Sequence, residues 1–288
     1  PALCFPPAHP FHHSLIGSME HLTAASLDDV AEFFRTYYTP DNAVLTICGD
    51  FETSAARAMV ERQFGAIPRG NGRPPLPDLT LPPTFGEWKR EVVEDAVVAP
   101  RLFLAFRIPP AGDDAWYAAS LLGAVLGTGE GSRLSRALVR EQQLASEATA
   151  FTFDLAKGSD LLVCDVTARP GVAAATLEAA VVAEIDRLLR DGVTAGERAR
   201  ALALYETAWV SGIQSVGARA DKLSQFATYR GDAALVNDEP ARHAAVGVDA
   251  MVDFARARLQ PTNRASLLYV PRAVAGVELG GCPLASAV

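Results

Sequence analysis

The sequence predicts an α+β fold, in which a mixed, mainly antiparallel sheet packs against helices. Three observations point there. Strand-like and helix-like segments follow one another without the strict alternation of repeated βαβ units. The central segments Ala148–Leu155 and Leu161–Thr167, apolar and joined by the turn Lys157-Gly158-Ser159-Asp160, read as a hairpin. The chain has 288 residues, 49% hydrophobic and 21% charged, enough for one large domain or two modest ones and unlike a disordered or collagen-type chain.

The elements follow in order. Ser26–Tyr38 opens with a Ser-x-x-Asp cap and repeats apolar residues at Leu27, Val30, Phe33, Phe34 and Tyr37, so it predicts a helix stopped by Pro40. Asn42–Cys48 reads as a buried strand, Gly49-Asp50 as its turn, and Thr53–Phe64 as a helix ending at Gly65. From Pro68 to Gly86 prolines crowd together and can propagate neither helix nor central strand, which marks an inter-domain linker. Beyond it, Trp88–Glu94 and Arg101–Ile108 predict strands, and Ala115–Leu126 and Leu134–Arg140 predict helices. After the hairpin, Leu177, Val181, Ile185 and Leu188 keep a helical period, and Thr194-Ala195-Gly196-Glu197 forms a capping box for a long helix running towards Val216. Leu223, Phe226 and Ala227 mark another helix, Met251 to Leu259 a further one, and Ala265–Val270 a last strand. After Pro271 a Gly-rich tail has no evident pattern.

Composition narrows the function. With 26 Lys+Arg against 34 Asp+Glu the net charge is −8, and no basic cluster is present, so no nucleic-acid partner is expected. The longest apolar stretches, Leu121–Leu126 and Leu161–Val163, are far shorter than a bilayer-spanning helix, so no membrane association is expected either. The first residues carry no basic segment before an apolar core and are not a signal peptide; the expectation is a cytoplasmic chain cut from something longer. Cys4, Cys48, Cys164 and Cys282 lack metal-site spacing, and Cys48 and Cys164 read as buried, inert thiols.

His9-Pro10-Phe11, then Ile16-Gly17, then a capped helix ending Tyr37-Tyr38-Thr39-Pro40-Asp41-Asn42-Ala43-Val44-Leu45, resembles the pitrilysin/insulinase-like zinc metallopeptidases, which include the mitochondrial processing peptidases and bacterial relatives. The resemblance continues through Cys48-Gly49-Asp50-Phe51, Phe64-Gly65-Ala66-Ile67-Pro68, the Leu126–Leu134 stretch and Arg256–Arg264. It implies roll domains: residues 1–75 as the C-terminal third of a first one, 76–86 as a Pro-rich linker, 87–271 as a complete second, inactive-type one and 272–288 as a tail. It also implies a clam-like pair of domains that encloses extended peptides.

Catalysis in that family rests on His-x-x-Glu-His and a distal Glu, in which two imidazoles and a carboxylate hold zinc and the motif Glu acts as base on the metal-bound water. This chain contains no such motif. In the family both parts precede the His-Pro-Tyr/Phe word, so here they would lie before Pro1. No catalytic residue and no metal ligand are therefore expected in this chain, and zinc is expected in a partner segment. The histidines His9, His12, His13 and His21, with Glu20, lack ligand spacing and read as solvated or hydrogen-bonded groups.

Related second domains send an Arg and, seven residues later, a Tyr towards the substrate. Arg140 matches the Arg, whereas Ser146 and Glu147 stand where the Tyr is expected, so Arg140 is the first candidate substrate-binding residue. Arg133 is the second, with bracing of its own helix start as the plainer role. Gly127, Gly129 and Gly131 fail the phosphate-loop pattern and read as a tight helix–helix turn, while Asp28-Asp29 and Asp113-Asp114 read as helix caps.

The sequence thus points to a non-zinc portion or subunit of a pitrilysin-like metallopeptidase, inactive alone, that forms part of a peptide-binding chamber with a zinc-bearing partner segment or subunit, or as a homodimer. The alternative is a repurposed member of the fold with a binding, scaffold or biosynthetic role. Zinc content of the chain purified with its natural neighbour separates the two. One purely physical expectation concerns residues 1–75: a lone strand at Asn42–Cys48 leaves its backbone groups unpaired, so this region should associate with another polypeptide.

Overall fold

A computed structural model describes residues 1–272; of the expected 272–288 tail, all but Arg272 lies outside the described residues. The expected α+β class is the observed one. Five strands, β1 (Lys89–Asp95), β2 (Arg101–Ile108), β3 (Ala145–Thr152), β4 (Asp160–Ala168) and β5 (Ala265–Pro271), form one sheet in the order β1-β5-β2-β4-β3. The β3–β4 hairpin forms as expected, with Thr152 opposite Leu162, and β2 runs antiparallel to both β4 and β5. Only β1 and β5 pair in parallel, Lys89 opposite Ala265, which makes the sheet mixed.

Side-chain alternation assigns the two faces. Leu102, Leu104, Phe106 and Ile108 of β2, with Leu162, Cys164, Val166 and Ala168 of β4, point into the main core. Helices α4 (Asp114–Gly127), α5 (Ala174–Asp191) and α9 (Val248–Arg258) cover that face, and α6 (Ala195–Gly212) and α8 (Glu239–Ala245) pack behind α4. Helix α7 (Val216–Gln225) follows α6 and runs into a π-helical turn, Phe226–Arg230. The expected helix Leu134–Arg140 is also π-wound, over Ser135–Glu141. Gly127 closes α4 where the helix meets β3, and a Cβ there would lie 1.8 Å from the Ala150 nitrogen.

The N-terminal part is built differently. Helices α2 (Leu27–Tyr37), with the expected reciprocal Ser26–Asp29 box, and α3 (Thr53–Phe64) form as expected, and an unexpected short helix α1 (Met19–Ala24) takes the place of the loop read around Glu20-His21; none of the three contains a buried residue. The expected strand Asn42–Cys48 is not formed. Asn42 ends a 3-10 turn, residues 43–48 pair with no strand, and Leu45 and Ile47 remain 58% and 47% exposed. A strand is defined by a neighbour, and no neighbour for this segment exists among the described residues.

Residues 1–13 belong physically with the sheet. Cys4 and Phe5 are buried against Ala105, Leu161, Val163 and Ala265 on the face away from the helices, with Phe11, Leu81 and Phe85 packed alongside. The Pro-rich run from Pro68 to Gly86 contains no helix or strand, as its composition requires, but its last residues are pinned down. Arg107, 4% exposed, donates to the carbonyl oxygens of Cys4 at 2.6 Å, Pro82 at 3.2 Å and Thr84 at 3.1 Å.

Candidate functional site

The sheet face turned away from the helices is the candidate peptide-contacting surface, because its two halves are finished differently. One half is sealed by residues 3–11 and 81–85. The other presents Phe103, Thr149, Phe151 and Tyr269, with Phe151 40% exposed on edge strand β3. Arg101 crosses this open half and grips Asp165 through two hydrogen bonds of 2.8 and 2.6 Å, its guanidinium 4.8 Å from the Phe103 ring centroid. The hydrogen bonds to Asp165 raise the Arg101 pKa, so this charge stays fixed.

Arg140 sits near the end of the π-helical segment, exposed and without a hydrogen bond or ion pair among the described residues. Its guanidinium is free to meet a ligand. Ser146 and Glu147 follow on β3 beside a register shift, and the Ser146 hydroxyl donates to the Thr167 carbonyl oxygen at 3.3 Å. Arg133 is in a different situation. It is 8% exposed, its Nε and Nη2 donate to the two Glu197 oxygens at 2.6 and 2.9 Å, and Nη2 also reaches the Gly192 carbonyl oxygen at 2.7 Å. Those bonds tie Arg133 to the junction of α5 and α6.

The histidines do not assemble a zinc site. His9 is buried, accepts from the Phe11 amide at 3.1 Å and stacks on Phe5, while His12 Nδ1 lies 2.7 Å from the Phe5 carbonyl oxygen. His13 and His21 face each other with ring centroids 6.4 Å apart but have no third ligand. Among the described residues no group of three His, Cys, Asp or Glu side chains is placed to hold a metal. The donor set of a zinc peptidase is therefore not assembled among the described residues.

Residues 24–205 match the family described as the peptidase M16 inactive domain. The chain belongs to the M16 peptidase family. Among curated relatives, the zinc protease PqqE of Helicobacter pylori is 26% identical over 222 residues, which cover 77% of this chain and 49% of that protein. An uncharacterized zinc protease of Mycobacterium bovis is 26% identical over 219 residues, again covering 49% of its length. The chain thus spans about half the length of the curated relatives it matches. In three dimensions it is similar to a protease from Helicobacter pylori (TM-score 0.83, 22% identity, 91% of this chain and 63% of that one). It is likewise similar to a peptidase M16 inactive domain from Pseudomonas fluorescens (TM-score 0.79, 19% identity, 92% and 62%). M16 membership agrees with the metallopeptidase resemblance read from the His9-Pro10-Phe11 and Arg256–Arg264 words. No described helix of this M16 chain is long and apolar enough to cross a membrane.

One feature of this M16 chain escaped the sequence reading. A cleft of about 300 Å³ opens between α6, α7, the Phe226–Arg230 turn and α8, lined by Trp116, Tyr205, Trp209, Phe226, Tyr229 and His243. The i, i+4, i+7 spacing of Tyr205, Trp209 and Gly212 on α6 was the available signal, two large rings beside a residue with no side chain.

Proposed function

We propose that this chain is the zinc-free part of an M16 peptidase, which shapes a peptide-binding chamber together with a zinc-bearing partner segment or subunit. The observation that carries the reading is the contrast between its two parts. Residues 89–271 close a sheet over a buried core, whereas residues 15–67 leave Leu15, Ile16, Phe33, Phe34, Leu45, Phe51 and Phe64 exposed. A patch of that kind marks an interaction surface. The Phe33–Tyr37 and Phe34–Tyr38 ring pairs pack at a tilt, with 4.9 and 4.5 Å between centroids, along the C-terminal end of α2. A partner that supplies strands beside Asn42–Cys48 and apolar side chains over α2 would complete a first domain around this face, with a second copy of the chain as the other candidate.

Within that assembly Arg140 is the residue proposed to contact peptide, since Arg133 is occupied by Glu197 and Gly192. The cytoplasmic location expected from the sequence remains part of this proposal. The test is to purify the chain alone and with the zinc-bearing M16 segment of its own genome, then follow sedimentation and chelator-sensitive cleavage of a quenched peptide library. The expected result is cleavage by the complex only, with amide protection of Asn42–Cys48 gained on association. Zinc-dependent turnover by the isolated chain, or a complex that never forms, would overturn the reading, and the second outcome favours a repurposed binding or scaffold protein.

A further inference from the structure

The cleft between α6, α7 and α8 lies within the helical layer and stands apart from the sheet face described above. Three rings form a ladder along it. The Tyr205 ring stacks on His243 with centroids 3.5 Å apart and 18° between planes, and Trp209 follows at 6.0 Å and 28°. Phe226 meets Trp209 edge-on at 6.5 Å. Such walls favour flat or branched apolar groups.

The charges in the cleft decide what else a ligand must carry. Arg230 is already committed: it pairs with Glu239, and Tyr117 donates to the same carboxylate at 2.7 Å. Two charges remain without an ionic partner among the described residues. Lys222 stands over the Trp209 ring, 5.5 Å from its centroid, with a long 3.4 Å hydrogen bond to Gln225 as its one polar contact. Asp154, which is exposed, also lines the cleft, and its carboxylate accepts only from the Thr152 hydroxyl at 2.6 Å. Asp154 also holds a left-handed backbone, φ 59°, unusual for a residue with a side chain. The Tyr205 hydroxyl is buried and has no hydrogen-bond partner among the described residues. A buried hydroxyl left unpaired is costly, so a site that fills on binding is the natural reason to keep it. The π-helical turn at Phe226–Arg230 adds to this, because such turns are frequent at functional sites.

We propose that this cleft binds a zwitterionic apolar amino acid or dipeptide, with its ammonium group towards Asp154 and the Tyr205 hydroxyl, its carboxylate towards Lys222 and its side chain among the rings. Opposite unpaired charges lining one apolar cleft match a molecule with that distribution, and a neutral or singly charged ligand would leave one of them unanswered. The inference stands on the cleft alone and does not depend on the chamber reading.

The experiment is calorimetric titration of the full chain with L-phenylalanine, with L-leucyl-L-phenylalanine and with N-acetyl-L-phenylalaninamide. One saturable site for at least one of the two zwitterions is expected, with binding of the amide weaker by about tenfold or more, the effect of losing a charge-assisted contact. Whichever zwitterion binds tighter identifies the source as free amino acid or dipeptide. Tyr205→Phe and Lys222→Gln should each weaken that binding about tenfold. The unfolding midpoint of Tyr205→Phe should stay the same or rise, because its hydroxyl has no partner to lose. No saturable heat from either zwitterion at millimolar concentration, equal binding of the amide, or affinity unchanged in both variants would overturn the proposal.

Discussion

Arg107 donates to the carbonyl oxygen of Cys4 at 2.6 Å, a bond that joins positions 103 residues apart and ties the N-terminal segment to the middle of the sheet. Burial lowers the Arg107 pKa, yet backbone carbonyls on three sides and the Phe85 ring 4.5 Å away hold the cation. Arg107→Ala should cost roughly 2–4 kcal/mol, since it strands three carbonyl oxygens and opens a void. Residues 1–13 should then become accessible to chymotrypsin, at Phe11 above all, and lose amide protection while the helical layer keeps its own. An unchanged digestion pattern would show that apolar packing of Phe5 and Phe11 suffices.

Glu197 combines two tasks, accepting from Arg133 and closing the Thr194 capping box through the Thr194 amide at 2.8 Å. Burial works to raise its pKa, but the Arg133 and Thr194 contacts outweigh burial and bring it to about 2, from a usual 4.5. A depressed carboxylate contributes stability that is complete above pH 4.5 and is lost as pH falls towards 2. The part-exposed position of Glu197 keeps the contribution to about 1–2 kcal/mol. Denaturant titrations between pH 5 and pH 2 should therefore show a steep loss of stability in the native chain and a shallower one in Glu197→Gln.

Asp160 behaves in the opposite sense. Burial raises its carboxyl to about 6, against hydrogen bonds from Trp116 Nε1 at 2.9 Å and the Leu161 amide at 2.7 Å that favour the anion. A raised acid contributes most below its unfolded value of 3.8 and loses that contribution as pH climbs through 6. Trp116 fluorescence should follow a titration with a midpoint near 6 that disappears in Asp160→Asn.

Gly127→Ala should destabilise the chain by about 3 kcal/mol or more, because backbone, not a yielding side chain, occupies the space its methyl group needs. Gly129→Ala meets no neighbour within 4 Å but sits at φ +74°, so its cost should be smaller, about 1 kcal/mol. Thermal unfolding of the two variants side by side checks the order.

Arg140→Ala should leave stability within about 0.5 kcal/mol of the native chain, as an exposed arginine without partners allows. In the assembled peptidase it should weaken peptide binding by roughly 1.5–3 kcal/mol. Unchanged affinity measured by peptide anisotropy would return Arg140 to an ordinary surface role.

What the sequence determined by itself was local. The Ser26–Asp29 and Thr194–Glu197 boxes, the Pro68–Gly86 break, the apolar and aromatic run Arg101–Ile108 and the β3–β4 hairpin were all legible, because caps, turns and apolar runs depend on residues within one element. The ordered words from His9 to Arg264 also disclosed the M16 family. Tertiary structure decided what needs a second, distant segment. Asn42–Cys48 has strand composition but no neighbour and so forms no strand, while β1 and β5 meet in parallel across 176 positions at Lys89 and Ala265. Arg133 and Arg140 are seven residues apart and indistinguishable in charge, yet one is buried on Glu197 and the other free. The cleft with Tyr205, Trp209 and Lys222 likewise exists only where separate helices converge. Burial and pairing are properties of contacts between segments, and a linear sequence carries them only when both partners lie within a turn or two of each other.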